Sequence, residues 1–202
     1  MGGAFRTVDG PGEAAFEVRG STFRGRVARV ESVDAAEAVV AGEREANADA
    51  SHVVACYRVR QGDSETGVLL REWQTDDGEP TGSAGKPALN VLVQREVENV
   101  VATVVRHFGG TELGVGGLAR AYGRAVADAV DDAGVVDAVP HETLRFEADY
   151  DDSGAVRTVL ERAGVEYDAA YEERVTFEAR VPSGEAAELR DAVRSATSGR
   201  VG

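Results

Sequence analysis

Hydrophobic and polar residues alternate near the start of the chain, which predicts a β-hairpin followed by a helix. Residues 14–30 alternate in character on both sides of the Gly20-Ser21 dipeptide, as two strands joined by a tight turn would. Alanine and valine then recur at helical spacing over residues 35–48, and Ser32 or Asp34 can cap this helix. The first quarter of the chain therefore predicts the order strand, strand, helix.

Valine-rich segments in the middle of the chain predict further strands and two helices. Strands are expected over residues 52–59 and 66–73, joined by a turn at Gly62-Asp63. Residues 88–93 extend a helix that can hold Pro87 in its first turn. Residues 97–108 indicate a buried strand, although their valines also fit one face of a helix. The next helix has a clear apolar face, formed by Leu118, Tyr122, Ala125, Val126, Ala129 and Val130.

The last third of the chain predicts a smaller domain. Residues 134–140 have the composition of a linker. The pattern then gives a strand, a helix, two strands and a helix, at residues 143–150, 155–163, 165–171, 174–181 and 184–196. This βαββα order is typical of a ferredoxin-like fold whose final strand is short or missing. We predict an α+β protein with two domains, residues 1–137 and 138–202.

Two glycine-rich segments each lie between an apolar segment and a helix. One occupies residues 76–87, and the other occupies residues 106–123 and contains six glycines. Such glycines imply backbone conformations that a Cβ disfavours, or a close approach of the backbone to another group. Glycines ahead of a helix also let backbone N–H groups converge where the helix carries about half a positive charge. The segments can therefore hold an anion, or they can serve only tight turns and close packing.

Cations near these segments could assist an anion site, and Lys86, Arg106, Arg120 and Arg124 are the closest in sequence. The residues predicted to bind an anion or a partner are Asp76, Asp77, Gly78, Glu79, Gly82, Gly85, Lys86, Arg106, Gly109, Gly110, Gly114, Gly116, Gly117 and Arg120. Neither a P-loop nor a dinucleotide-binding glycine pattern with its ribose-binding acid is present. We predict no cofactor.

Three acidic residues precede the helix that follows the first glycine-rich segment. Asp76, Asp77 and Glu79 could ligate a hard cation or act as general acid or base. Acidic residues ahead of a helix also stabilise its N-terminus, by about 0.3–1 kcal/mol each. Because the whole chain is acidic, we favour the capping interpretation and predict neither a metal site nor a catalytic residue.

Charge and cysteine content indicate the environment of the protein. The chain holds 36 Asp and Glu against 22 Lys and Arg, a formal net charge of −14, and Lys86 is its single lysine. Spread acidity with arginine in place of lysine is typical of a salt-rich, halophilic cytoplasm, where a short Debye length screens repulsion. Cys56 has no partner cysteine, which favours a cytoplasmic location and a buried role. The sequence shows neither a signal peptide nor a membrane span.

The two glycine-rich segments together resemble the signature of the IMPACT/YigZ family. His52 and Tyr57 also sit where that family has such residues, and residues 19–23 look like its opening hairpin. The match covers about residues 16–136, and the remainder resembles the family's smaller C-terminal domain. This resemblance implies a left-handed βαβ domain of the type seen in elongation factor G domain four. It also implies a ferredoxin-like domain similar to domain five of that factor.

The resemblance also implies a function. Eukaryotic members of the family restrain a translation-control kinase by competing for its activator, and nucleic-acid or ribosome binding is the usual suggestion for prokaryotic members. We therefore expect a non-enzymatic binding protein linked to translation, whose partner is RNA, the ribosome or a translation-associated protein, and not a membrane.

Two other interpretations stay open. One is an enzyme acting on a phosphorylated small molecule, with the loop amides and Lys86 or Arg106 holding the anion and Asp77 or Glu79 as base. The other makes the glycines folding devices only.

Overall fold

The computed structural model describes residues 4–64 and 67–201, in which ten strands and five helices form two compact units. One unit covers Phe5–Ala138, and the other combines Ala4 with the residues from Val139 onward. Each unit combines a sheet with helices, so the predicted α+β class is confirmed.

The first unit is built on a five-stranded antiparallel sheet. Its elements are β1 (Phe5–Val8), β2 (Gly12–Val18), β3 (Ser21–Arg29), α1 (Val33–Ala46), β4 (His52–Ser64), β5 (Gly67–Thr75), α2 (Gly85–Gln94), β6 (Val100–His107), α3 (Val115–Ala133) and β7 (Val135–Ala138). The strand order is β2-β3-β6-β4-β5, while β1 and β7 pair separately. Because β3 and β4 both run antiparallel to the intervening β6, they are parallel to each other, and α1 joins them in a βαβ unit.

Helices cover the two faces of this sheet. The α2/α3 face buries residues such as Phe23, Val54 and Val104 beneath α2 and α3, while the other face buries Tyr57 and Val101 near α1. Strand β6 is buried along almost its whole length, which explains its continuous valines and decides for a strand over a helix. Helix α3 packs closely on the sheet, because a Cβ at Gly25 in β3 would overlap the backbone carbonyl of Ala125 in α3.

The second unit has the predicted βαββα order. Its elements are β8 (His141–Ala148), α4 (Tyr150–Ala163), β9 (Glu166–Tyr171), β10 (Val175–Pro182) and α5 (Ala186–Ala196). The sheet order is β8-β10-β9, and side chains from one sheet face and both helices form the core. Within the described chain no strand follows α5; instead Val201 is buried in this core, and Arg200 binds the Asp152 carboxylate. This arrangement is ferredoxin-like without a fourth strand.

The helix ends follow local sequence as expected. The hydroxyl of Ser32 accepts a hydrogen bond of 3.1 Å from the Ala35 amide, so the predicted cap of α1 is confirmed. Pro87 lies in the first turn of α2, where its missing N–H removes no helical hydrogen bond.

Two local predictions are wrong. Residues 134–140 are not simply a linker, because they contain β7, which pairs with β1 from Phe5 to Val8. These strands are only four residues long, too short to show a period in the sequence. The turn expected at Gly62-Asp63 is instead part of β4, which shifts register between Arg60 and Gly62 and continues to Ser64. Residues 65 and 66, which connect β4 to β5, lie outside the described residues.

Candidate functional site

Both glycine-rich segments meet at one end of the five-stranded sheet, on its α2/α3 face. The first glycine loop, residues 76–84, joins β5 to α2, and the second glycine loop, residues 108–114, joins β6 to α3. Near that end of β6, Arg106 is paired in register with Phe23 on one side and His52 on the other. The sheet therefore places side chains from three strands directly beneath both loops.

A buried polar cluster joins the two loops through Glu79. The carboxylate oxygen Oε1 of Glu79 accepts a hydrogen bond of 2.6 Å from Arg106 Nη1 and another of 2.6 Å from the Tyr122 hydroxyl. His52 Nε2 lies 3.8 Å from the same oxygen, and Arg106 Nη2 donates to Ser21 Oγ at 3.3 Å. The side chains of Arg106 and Glu79 are 5% and 4% exposed, so this ion pair is buried.

This cluster is a fixed junction. A buried ion pair holds only when both charges are present, because removal of either one leaves the other without compensation. Burial, together with the hydrogen bond and the charge of Glu79, raises the pKa of Tyr122 well above its usual range. Tyr122 therefore stays protonated and donates to Glu79, while the Arg106 guanidinium also lies over the rings of Phe23 and Phe108.

In the first glycine loop, the carboxylate of Asp76 binds the start of α2. It accepts hydrogen bonds of 2.7, 3.0 and 2.8 Å from the amides of Gly82, Ala84 and Gly85. Partial burial by itself raises the pKa of Asp76, but these three amides outweigh it and hold the pKa below its ordinary value. The predicted capping role is confirmed for Asp76, and the N-terminus of α2 is filled from within the chain.

The neighbouring Asp77 has a different role. Its carboxylate accepts a 2.7 Å hydrogen bond from the Val53 amide and a 3.3 Å hydrogen bond from Arg44, and its carbonyl lies 2.8 Å from His52 Nδ1. Asp77 therefore fastens the loop to the end of β4. Neither Asp77 nor Glu79 offers a carboxylate free of protein contacts, as a general base would need.

The second glycine loop leaves the start of α3 open. The Gly109 amide donates to Ser21 Oγ at 3.1 Å, but the amides of residues 110–114 meet no acceptor in the part of the chain that the structure describes. No side chain caps α3 at Gly114, and its first backward hydrogen bond runs from the Leu118 amide to the Gly114 carbonyl. The amides of the first turn therefore point out of the helix end.

Arginine side chains lie along a groove beside the first turns of α3. Arg19 Nη1 approaches the Glu112 carbonyl at 3.4 Å, and the Arg124 guanidinium lies 4.2 Å from the centre of the Phe16 ring. Beside the helix runs a groove of about 360 Å³, lined by Phe16, Val18, Arg19, Leu113, Gly117, Arg120, Ala121 and Arg124. The groove combines an apolar floor with three guanidinium groups.

The glycines of the two loops have different reasons to be glycine. Positive φ angles occur at Gly78, Gly82, Gly110 and Gly114. At three other glycines a Cβ would come too close to neighbouring atoms: the Thr75 backbone at Gly85, the Gly20 backbone at Gly109 and the Leu113 side chain at Gly117. Gly116 shows neither constraint, since a Cβ there would meet only the end of the Arg120 side chain, at 3.6 Å.

The remaining predicted residues lie near the site without joining the cluster. Lys86 is exposed at the start of α2 and forms no ion pair with any residue that the structure describes. Cys56 is buried in the middle of β4, where burial raises the pKa of its thiol far above the usual range, so it is an inert core residue as expected.

Among the described residues, no group of three or more His, Cys, Asp or Glu side chains could hold a metal ion. The described helices also include none with the length and apolarity needed to cross a membrane.

Sequence reasoning did not identify three members of the site as such. Ser21 was placed only in a hairpin turn, Tyr122 only in the apolar face of a helix, and Arg19 only in the hairpin signature. A buried tyrosine hydroxyl normally has a hydrogen-bond partner, and that rule could have pointed to Tyr122. No local pattern relates Ser21 to Arg106, because 85 residues separate them.

Comparisons with known proteins agree over nearly the whole chain. The profile of the Impact N-terminal domain matches residues 19–130, and that of a domain of unknown function, DUF1949, matches residues 146–200. The IMPACT family member YvyE of Bacillus subtilis (strain 168) is 30% identical over 198 residues, which cover 98% of this chain and 88% of that protein. An IMPACT family member of Thermus thermophilus is 33% identical over 186 residues, covering 91% of this chain and 97% of that protein.

A solved structure extends this similarity to the fold. The crystal structure of a hypothetical protein superposes with a TM-score of 0.73 at 27% sequence identity, covering 98% of this chain and 95% of that one. The profile matches fall on the sheet that carries both glycine loops and on the βαββα unit. The chain therefore belongs to the IMPACT family.

Proposed function

We propose that this protein is a cytoplasmic, non-enzymatic binding protein linked to translation, and that it recognises a phosphate-bearing partner, RNA or the ribosome, at the open start of α3. The single observation that supports this most is the uncapped helix end, where the amides over residues 110–114 have no acceptor among the described residues and arginines lie beside them. Backbone N–H groups and the partial positive charge of a helix N-terminus together favour an anion.

The surrounding charge favours the same kind of partner. The chain has a net charge of −14, yet the groove next to α3 is lined by Arg19, Arg120 and Arg124, of which only Arg124 has a carboxylate partner in the described residues, Asp128. Guanidinium groups bind phosphate oxygens in a bidentate way, and they stack on flat aromatic or base surfaces. A locally basic groove on an acidic protein is suited to a polyanion that the rest of the surface repels.

Gly116 adds a steric argument. Gly109, Gly110, Gly114 and Gly117 are explained by positive φ or by tight packing, whereas a Cβ at Gly116 would meet only the end of the Arg120 side chain. A glycine with no internal requirement leaves the helix end bare, so that a bulky group can approach its amides. This favours recognition over a purely architectural role for at least this position.

The enzymatic alternative has less support. It needs Asp77 or Glu79 as a free base, and both carboxylates are held by protein donors. It also needs Arg106 to hold substrate, and Arg106 is buried against Glu79. We therefore place binding at α3, with the first glycine loop as its structural support.

The test compares binding of purified ribosomes and of structured RNA by the wild-type chain, Gly116→Asp and Arg120→Ala over a series of salt concentrations. Gly116→Asp places a carboxylate where the anion would sit, so we expect at least a tenfold loss of affinity. Arg120→Ala should weaken binding less and reduce its salt dependence by about one counterion.

Two control variants test whether the effect of Gly116→Asp depends on the charge, the size or the position of the new side chain. Gly116→Asn keeps the size of the side chain without its charge and should weaken binding much less. Gly154→Asp adds the same charge to α4, where a Cβ has open space, and should leave binding unchanged. Equal binding by the wild type and Gly116→Asp would remove α3 from the proposal. If the wild type binds neither ribosomes nor RNA, both are ruled out as the partner, and a translation-associated protein takes their place.

A further inference from the structure

The three-stranded sheet of the second unit has an open edge along β8. Its order is β8-β10-β9, so β8 pairs with β10 on one side, and no described strand pairs with its other side. The pairing of β8 with β10 runs without a register shift from His141 to Ala148. An edge strand of this kind presents a regular row of backbone donors and acceptors.

This edge lacks several of the usual protections. Residues 141–148 contain neither proline nor lysine, and the uninterrupted register excludes a bulge in the described pairing. The edge strand β2 of the other sheet differs, because its Glu13 amide is taken by the Asp132 carboxylate at 2.9 Å. Strand β9, at the opposite edge of the same sheet, carries Glu166 and Asp168 on its solvent face, which oppose pairing with another acidic strand.

The residues of β8 can complement a second β8. Leu144, Phe146 and Ala148 face the helices and are buried, while Arg145 and Glu147 lie on the solvent face with side-chain exposures of 61% and 50%. Antiparallel pairing of two copies around Phe146 puts Arg145 of each copy opposite Glu147 of the other. Oppositely charged residues directly opposite each other stabilise a pair of strands, and like charges destabilise it.

Other registers do not give this match. Pairing centred on Arg145 sets two arginines opposite each other, and pairing centred on Glu147 sets two glutamates opposite each other. Pairing centred on Leu144 places Arg145 opposite Thr143, with no charge match. Pairing centred between two residues would set the helix-facing side chains of one copy against the solvent-facing side chains of the other. The charges and the faces on which the side chains lie therefore favour the register centred on Phe146.

We propose that β8 is a homodimerisation edge, at which two copies pair antiparallel around Phe146 and form one six-stranded sheet. The partner is a second copy of this chain, recognised by backbone hydrogen bonds and by two reciprocal pairs of Arg145 and Glu147. The proposal is independent of binding at α3, because it uses only residues of the second unit.

Sedimentation velocity of the full chain over a concentration series tests it. We expect the wild type to dimerise reversibly, and Arg145→Glu and Glu147→Arg each to raise the dissociation constant about tenfold, because each variant makes both charge pairs repulsive. The double variant Arg145→Glu/Glu147→Arg should dimerise like the wild type, because it exchanges the two charges. An equimolar mixture of the two single variants should form a heterodimer more tightly than either variant pairs with itself. The differences should shrink at high salt, which screens the charges.

Asp191→Arg is the control, since it reverses an exposed charge on α5 without touching either edge strand of the sheet, and it should leave dimerisation unchanged. A wild-type chain that stays monomeric over the whole series overturns the proposal. So does a mixture of the single variants in which no heterodimer forms, a result that does not depend on the stability of either variant alone.

Discussion

The helices α2 and α3 both follow a glycine-rich loop, but their N-termini are used in opposite ways. At α2, Asp76 fills the helix end with three hydrogen bonds to backbone amides. At α3, no side chain caps the helix, and the loop amides over residues 110–114 have no acceptor in the described chain. Two similar sequence patterns therefore give one closed and one open helix end, because Asp76 reaches the amides at the start of α2 whereas no side chain caps α3.

This difference assigns separate tasks to the two loops. The first loop is anchored through Asp76, Asp77 and Glu79 and supplies rigidity. The second loop is anchored at its beginning, by Gly109 and Ser21, and offers free donors at its end. Fixed donors bind an anion with little loss of conformational entropy, because the surrounding structure already holds them in place.

The largest expected effect comes from removing the contact that ties the loops together. Glu79→Ala leaves Arg106 charged and buried without a carboxylate to balance its charge, so we expect a loss of about 3–5 kcal/mol in the free energy of unfolding. Urea unfolding measures it. The double variant Glu79→Leu/Arg106→Met, which removes both charges, should lose clearly less. A loss below about 1 kcal/mol for Glu79→Ala would contradict a buried, coupled pair.

The second-largest effect is expected from removing Asp76, which closes the N-terminus of α2. Asp76→Ala leaves the amides of Gly82, Ala84 and Gly85 without their acceptor, and we expect unfolding free energy to fall by about 2 kcal/mol. Asp76→Asn, which keeps one acceptor oxygen, should lose less. Hydrogen exchange locates the effect: these three amides should exchange faster, whereas amides of α3 should not change. Equal acceleration at α3 would mean that the two helix ends are not independent.

The free energy of unfolding, measured against pH, should show the contribution of the Asp76 charge. The pKa of Asp76 is lowered in the folded protein, so its stabilising contribution is fully present above its unfolded pKa of about 3.9 and is lost as pH falls through the lower folded value. The stability difference between the wild type and Asp76→Asn should therefore be constant near neutral pH and shrink in acid. A difference that stays constant down to the acid limit would show that the charge of Asp76 contributes nothing.

The smallest effect is expected from closing the open N-terminus of α3. Gly116→Asp supplies at α3 the charge that Asp76 supplies at α2, and it should raise the free energy of unfolding by about 0.5 kcal/mol through the helix dipole. Gly116→Asn should raise it less, and thermal unfolding in low salt resolves the two. A variant that is more stable yet binds its partner less well would separate function from folding at this position. Destabilisation by Gly116→Asp would instead indicate an internal requirement for glycine.

Local patterns in the sequence predicted most of the elements. The hairpin around Gly20, the cap at Ser32 and the apolar face of α3 all depend on residues a few positions apart, and all are present. Strands β1 and β7 were missed because four residues are too few to show a period and because their pairing partners are more than a hundred residues apart. The left-handed βαβ connection implied by the family resemblance stays a prediction.

The site was predictable only in part. The glycine loops could be found from composition, but three neighbouring acids with the same expected role have three different partners. Asp76 binds the start of α2, Asp77 binds the end of β4, and Glu79 binds Arg106 on β6. Which partner each carboxylate reaches depends on how β5 and β6 are placed around β4. That placement is a property of the sheet, and no short segment of sequence encodes it.

Lys86 has a practical consequence for identifying the partner. Every other basic residue of the chain except its three histidines is an arginine, so the chain has a single lysine ammonium group, exposed at the start of α2. Amine-reactive reagents can thus reach one known position near the glycine loops and, besides it, only the α-amino group. A photoactivatable cross-linker attached there would covalently trap whatever molecule docks within its length, and the cross-linked site would identify it.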